Sequence, residues 1–134
     1  IERDVGQLAQ SLPASARTQR VYMEVSTVPH GAGVRSFMGE TMQHLGPINI
    51  LGPQWGPFPQ INPEWVVQQQ PDVILAADTH VSVMRARPGW SQLRALRNNR
   101  LCTFTEQESD VLVRPGPRMA EAARLMARCF EAAR

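Results

Sequence analysis

The apolar positions of this chain alternate between two periods along its length. Val5, Leu8, Ala9 and Leu12 follow the i, i+3, i+4, i+7 spacing of one helix face. After a turn at Pro13, Arg20-Val21-Tyr22-Met23-Glu24-Val25 reads as a strand, and Ser26 to Arg35, rich in Gly, Pro, Ser and Thr, reads as a loop. Phe37, Met38, Met42 and Leu45 mark a second helix, with Ser36 placed to cap it and Gly46-Pro47 to end it. The stretch Asn49 to Ile61 holds too many glycines and prolines for regular structure. Asn62-Pro63-Glu64 then restarts a helix that runs to about Gln70, with a cap, a proline at the first helical position and an acid at the positive end of the dipole.

Asp72 to Ala77 is a continuous apolar run of strand length, the signature of a strand covered on both faces. Asp78 to Pro88 is expected to be a polar loop, Trp90 to Leu96 a short helical stretch, Arg100 to Phe104 a third strand, and Thr105 to Arg114 another loop. From Pro117 the last helix places Met119, Ala122, Ala123, Met126, Ala127 and Phe130 on one face. Helices alternating with strands predict a three-layer, Rossmann-like α/β lobe with a parallel central sheet and flanking helices.

In such a sheet, ligands bind outside the carboxyl ends of the strands, so the three loops Ser26–Arg35, 78–88 and 105–114 should form one face. They carry His30, Arg35, His80, Arg85, Arg87 and Arg114, together with Glu106, Glu108 and Asp110. This polar set suits a polar or anionic ligand, and its plainer role is to solvate loops. Trp65 and Trp90 fall in helical patterns and are assigned to packing. Trp55 and Phe58, in the proline-rich stretch, are candidates for the lip of a cleft.

Composition narrows the functional classes. All 14 basic residues are arginine, against 12 acidic residues, and a formal charge of +2 argues for no nucleic-acid partner. No apolar stretch approaches the roughly 20 residues of a membrane span. The first helix pattern is already under way at Ile1, so the chain is expected to start inside a longer polypeptide. Cys102 and Cys129 suit either a disulfide or two buried thiols. Enzyme chemistry finds little support: no metal-binding spacing joins His30 or His80 to a second ligand, and Gly31-Ala32-Gly33 does not complete a dinucleotide fingerprint. No cofactor and no resident metal are expected.

Taken in order, Arg20–Val25, Gly33-x-x-Ser36-Phe37, Leu45-Gly46-x-x-Asn49-Ile50, Asn62-Pro63-Glu64, Gln70-Pro71-Asp72-Val73-Ile74, Pro88-Gly89-Trp90-x-x-Leu93-x-Ala95 and Arg114-Pro115-Gly116-Pro117-Arg118 resemble the C-terminal lobe of the iron-chelate, haem and cobalamin periplasmic binding proteins. The resemblance spans nearly the whole chain. It implies two α/β lobes joined by a long helix, with the ligand held between them and delivered unchanged to an ABC permease. Residues 1–18 then match the end of the connecting helix and its turn, and 19–134 the C-terminal lobe. The resemblance places the protein in the periplasm or on an extracytoplasmic lipid anchor.

By position in the motif, Glu64 matches the glutamate that docks on the permease, and Phe58 lies where cobalamin binders carry a ligand-contacting aromatic. Haem-binding relatives use a tyrosine on iron, but Tyr22 is inside a strand. Arg35, Arg85, Arg87 and Arg114 are the candidates for a chelate's negative charge. A metal-handling enzyme subunit or chelatase on a related two-lobed fold is the alternative, and it would require His30 or His80 to be catalytic. An isolated lobe would expose the surface it turns to its partner lobe, so self-association through that face is expected, with light scattering as its check.

Overall fold

The computed structural model describes residues 2–114 and 119–131, with the side chains of residues 2–4 left aside. Its centre is strand β1 (Arg20–Ser26), where alternate side chains go to opposite faces of the sheet. Strand β4 (Val73–Ala77) lies parallel to one edge of β1, in register from Val21↔Val73 to Met23↔Leu75, and β5 (Leu101–Phe104) lies parallel beyond β4. Two short strands share the other edge of β1. β3 (Ile48–Asn49) runs parallel to its start, and β2 (His30–Gly31) runs antiparallel to its end. The sheet is therefore parallel apart from β2, which folds back inside the segment expected to be loop.

The two faces of the sheet carry separate cores. Val21, Met23, Val73 and Leu75 point to one face, beneath α1 (Glu2–Ser11), α2 (Phe37–Leu45), α6 (Glu106–Val113) and α7 (Met119–Ala127). Tyr22, Ile74 and Ala76 point to the other, beneath α3 (Pro63–Gln69), α4 (Val81–Ala86) and α5 (Arg94–Arg97). These are the three layers that the alternation of periods predicts.

Local sequence sets the helix ends. Ser36 accepts a hydrogen bond from Gly39 N–H and Gly46, at φ 114°, closes α2 in a conformation that only glycine takes readily. Gly39 sits against the Gly33 carbonyl, where a Cβ would lie 1.9 Å from that oxygen. Asn62 caps α3, Pro63 opens it, and Gln70 ends it in the left-handed region at φ 46°.

Two loop expectations are corrected. Residues 78–86 form a single 3-10 turn (Asp78–His80) followed by α4, in which Met84 alone is buried, so the helix is set by docking rather than by an apolar stripe. Residues 106–113 form α6, started by a capping box in which Thr105 accepts from Glu108 N–H while Glu108 accepts from Thr105 N–H. The cysteine alternatives resolve into a disulfide: Cys102 on β5 bonds to Cys129 just past α7. Pro115-Gly116-Pro117-Arg118, the last piece of the resemblance and the expected start of the final helix, lies outside the described residues, as does Ile1.

Candidate ligand site

The carboxyl ends of β1, β4 and β5 open on a pocket of about 230 Å³. Val25, Leu75, Ala76, Ala77 and Phe104 form its strand-end floor, Met38 closes one side, and Ser109, Leu112 and Val113 of α6 form a wall. This is where a parallel α/β sheet binds ligands, because successive crossovers diverge there. The lining is apolar except for Glu24, His80 and Ser109.

Glu24 is the unexpected member. Its side chain is fully buried, and a buried carboxylate persists only when paired and hydrogen-bonded. Arg87 grips it with both ends of the guanidinium, Nη1 to Oε1 at 2.7 Å and Nη2 to Oε2 at 3.0 Å. The Tyr22 hydroxyl donates to Oε1 at 3.0 Å. Burial first, and then the neighbouring carboxylate, push the Tyr22 phenol far above its ordinary range, so it stays protonated and donating. Arg87 also stacks on Trp90, its carbon 4.5 Å from the ring centroid, and reaches the Thr27 carbonyl. Trp90 in turn donates from Nε1 to the Pro63 carbonyl at 3.1 Å. One chain of contacts thus runs from β1 through the residue that ends α4 to the first turn of α3.

The expected ligand residues scatter around this centre. Of those proposed from sequence, the structure brings only His80 into this pocket, with Nδ1 4.0 Å from Glu24 Oε2. His30 lies on β2 with its Nδ1 2.8 Å from Ser26 Oγ. Arg35 precedes α2 and Arg85 sits on α4, both exposed. Arg87 is not free for a ligand's negative charge, because Glu24 occupies it. Arg114 pairs with Asp110 at 3.0 Å on the surface. Trp55 is half-buried against Trp65, ring centroids 5.1 Å apart, and Phe58 is exposed beside β2; neither lines the pocket. Trp65 and Trp90 both pack, as their patterns predict. Glu64 is exposed in the first turn of α3. Among the described residues, no three His, Cys, Asp or Glu side chains gather as a metal site.

Sequence reasoning missed Glu24 and Ser109. The signal for Glu24 is in the sequence, since a charge inside the apolar run Val21 to Val25 is more informative than any exposed charge.

The same arrangement of elements recurs in solved structures. A possible iron-binding periplasmic solute-binding protein from Staphylococcus epidermidis superimposes with a TM-score of 0.81 at 22% identity, over 95% of this chain and 50% of that one. The chain has the fold of half of a periplasmic solute-binding protein. The periplasmic vitamin B12 binding protein of Vibrio cholerae matches this lobe with a TM-score of 0.77 at 23% identity, over 96% of the lobe and 50% of that chain. The periplasmic heme-binding protein of Roseiflexus sp. RS-1 gives a TM-score of 0.77 at 22% identity, over 97% and 51%. The lobe thus spans about half the length of the proteins whose fold it shares. No protein-family model matches it, and neither does any curated protein.

Proposed function

We propose that this chain is the C-terminal lobe of the substrate-binding component of an ABC importer, which captures a metal chelate between two lobes and hands it unchanged to a membrane permease. The observation that carries this reading is the superposition of 95% of the chain on half of a periplasmic solute-binding protein, with the pocket at the strand ends. At about 230 Å³, that pocket is smaller than the roughly 300–1,000 Å³ of a complete small-molecule site, as half a cleft should be. In this reading residues 1–18 are the end of the interlobe connection, and 19–134 the lobe itself.

The cargo is a ferric siderophore, haem or cobalamin, and the function is binding rather than catalysis. Glu64 is the contact to the permease: its carboxylate is exposed at a capped helix start, where its position is fixed, and close charge pairs across an interface couple by roughly 1.5–7 kcal/mol. The disulfide suits an oxidising, extracytoplasmic compartment. Among the described residues, no helix is long and apolar enough to cross a membrane.

The test is a tryptophan-fluorescence titration of the full-length parent with cobalamin, haemin and a panel of ferric siderophores, with the 134-residue lobe as control. Saturable quenching by one chelate, weaker in the lobe alone, is the expected result. A parent that binds none of them while turning over a metal or tetrapyrrole substrate would overturn the reading.

A further inference from the structure

The disulfide lies between two cavities. Phe104 is in the floor of the ligand pocket at the carboxyl end of β5, and Cys102 is two residues before it on the same strand. A second cavity, of about 230 Å³, opens at the amino ends of β4 and β5, where Val73, Leu101, both cysteines, Arg100 and Arg128 line it. The bond therefore borders open space on the side away from the ligand. Cys102 is part-exposed and Cys129 is buried.

Charge in this second cavity favours a thiolate. Arg100 Nη2 lies 3.5 Å from the Cys129 carbonyl oxygen, and among the described residues no carboxylate pairs with Arg100. A guanidinium beside a sulfur stabilises the thiolate, which is both the form that attacks a disulfide and the form that leaves one.

The bond also reaches the ligand pocket. Arg128, next to Cys129, donates from Nη1 to Glu108 Oε2 at 2.8 Å, and its guanidinium carbon lies 5.3 Å from the centroid of the Phe104 ring. Glu108 is in the first turn of α6, whose Ser109, Leu112 and Val113 wall the pocket that Phe104 floors. Cys129 lies just past the end of α7, so with the bond open only that helix end holds Arg128 in place.

We infer that the cavity at the amino ends of β4 and β5 is a thiol–disulfide exchange site, and that the state of its bond sets how firmly the ligand pocket holds its cargo. The thiolate of a dithiol donor bonds to Sγ of Cys102, the more exposed cysteine; the S–S bond breaks and Cys129 leaves as a thiolate beside Arg100. The donor's second thiolate then attacks the donor sulfur of the mixed disulfide and releases Cys102. The donor is oxidised to its own disulfide, and the two cysteines gain two electrons and two protons. The link to the cargo rests on the binding-protein reading; the exchange site does not.

The experiment first follows the full-length parent in dithiothreitol, trapping thiols with iodoacetamide and reading Cys102 and Cys129 by peptide mass spectrometry. Reduction should be first order in dithiothreitol, flat with low urea, and at least about threefold slower in Arg100→Gln. A rate that climbs with urea as global unfolding does, or one that Arg100→Gln leaves unchanged, overturns the site. Binding of haemin, hydroxocobalamin and a ferric hydroxamate is then measured in the oxidised parent, in Cys102→Ala with Cys129→Ala, and in Arg128→Gln with the bond intact. The chelate that binds the parent should bind both variants at least about fivefold more weakly, with cooperative urea unfolding retained. Arg128→Lys, which keeps the charge, should recover part of the loss. Equal affinity in both variants overturns the link while the binding-protein reading stands. If no chelate binds the oxidised parent, that reading and the link both fall, and the reduction rates still decide the exchange site.

Discussion

The two faces of the sheet are held by different means. Under α1, α2, α6 and α7 the core is a continuous apolar mass of Val5, Met23, Met42, Leu75, Met126 and Phe130, closed at one end by the Cys102–Cys129 bond. Under α3, α4 and α5 the helices are only 7, 6 and 4 residues long, against 10, 9, 8 and 9 for α1, α2, α6 and α7, and all of them are below the ~12–15 that give a helix even marginal stability by itself. That face compensates with side chains that bond across elements. Arg20 reaches Gln69 Oε1 at 3.0 Å, Gln70 Oε1 accepts from Arg94 N–H at 3.0 Å, Trp90 anchors Pro63, and Arg87 is locked to Glu24. Polar clamps hold groups in fixed positions, which apolar packing alone does less well. The clamped face is the one that brings Glu24 and His80 to the pocket.

Breaking the Arg87–Glu24 clamp should therefore cost the most among these polar contacts. Arg87→Met leaves Glu24 buried and unpaired, and destabilisation of about 3–5 kcal/mol is expected in urea unfolding. Adding Glu24→Gln should recover much of that loss, because no bare charge then remains. On the opposite face, Cys102→Ala with Cys129→Ala releases a loop closed over a separation of 27 residues and should cost about 3.5 kcal/mol by the chain-entropy relation. A double variant unchanged in stability would show that apolar packing alone suffices on that side.

Tyr22→Phe removes one donor from the carboxylate and should cost about 1.5–3 kcal/mol, the range for hydrogen bonds to charged groups. It also carries a pH signature. The folded state holds the phenol's proton well above the range at which the unfolded tyrosine releases it. This contribution to stability is therefore complete below about pH 10 and is lost as pH rises beyond it. Unfolding midpoints should fall above that pH in the wild type, and less steeply in Tyr22→Phe.

The sequence is most legible where one force dominates. Strands β1, β4 and β5 and helices α2 and α3 follow from apolar period and caps. α4 was hidden because, with one buried side chain, it has no stripe to read. β2 and β3 were hidden because two residues cannot display a period and exist only by pairing with β1. α6 is half legible: Thr105-x-x-Glu108 is a capping-box sequence, but Val111, Leu112 and Val113 stand adjacent rather than spaced around a helix. At the site the legible residues and the buried one differ: Arg35, Arg85 and Arg114 stand exposed around the pocket, while the Glu24 carboxylate at its edge sits inside a strand.

The capping box of α6 gives the smallest and most discriminating effect. Hydrogen bonds from Arg128, then from Thr105 N–H, hold the Glu108 carboxyl below its ordinary range. A lowered carboxylate stabilises the fold above its unfolded titration range, and that contribution is lost as pH falls through its folded value. Glu108→Gln should thus cost less than about 1 kcal/mol near neutrality, since the pair is partly solvated, and nothing once the medium is acid enough to protonate the wild-type residue. Thr105→Ala should cost about 1 kcal/mol near neutrality, and part of that loss should persist in acid because the threonine cap accepts the Glu108 N–H without any charge. Urea unfolding of both variants at neutral and acid pH separates the two contributions. The clamp of α6 then loosens at the acid end of the pH range, and Tyr22's bond to Glu24 at the alkaline end.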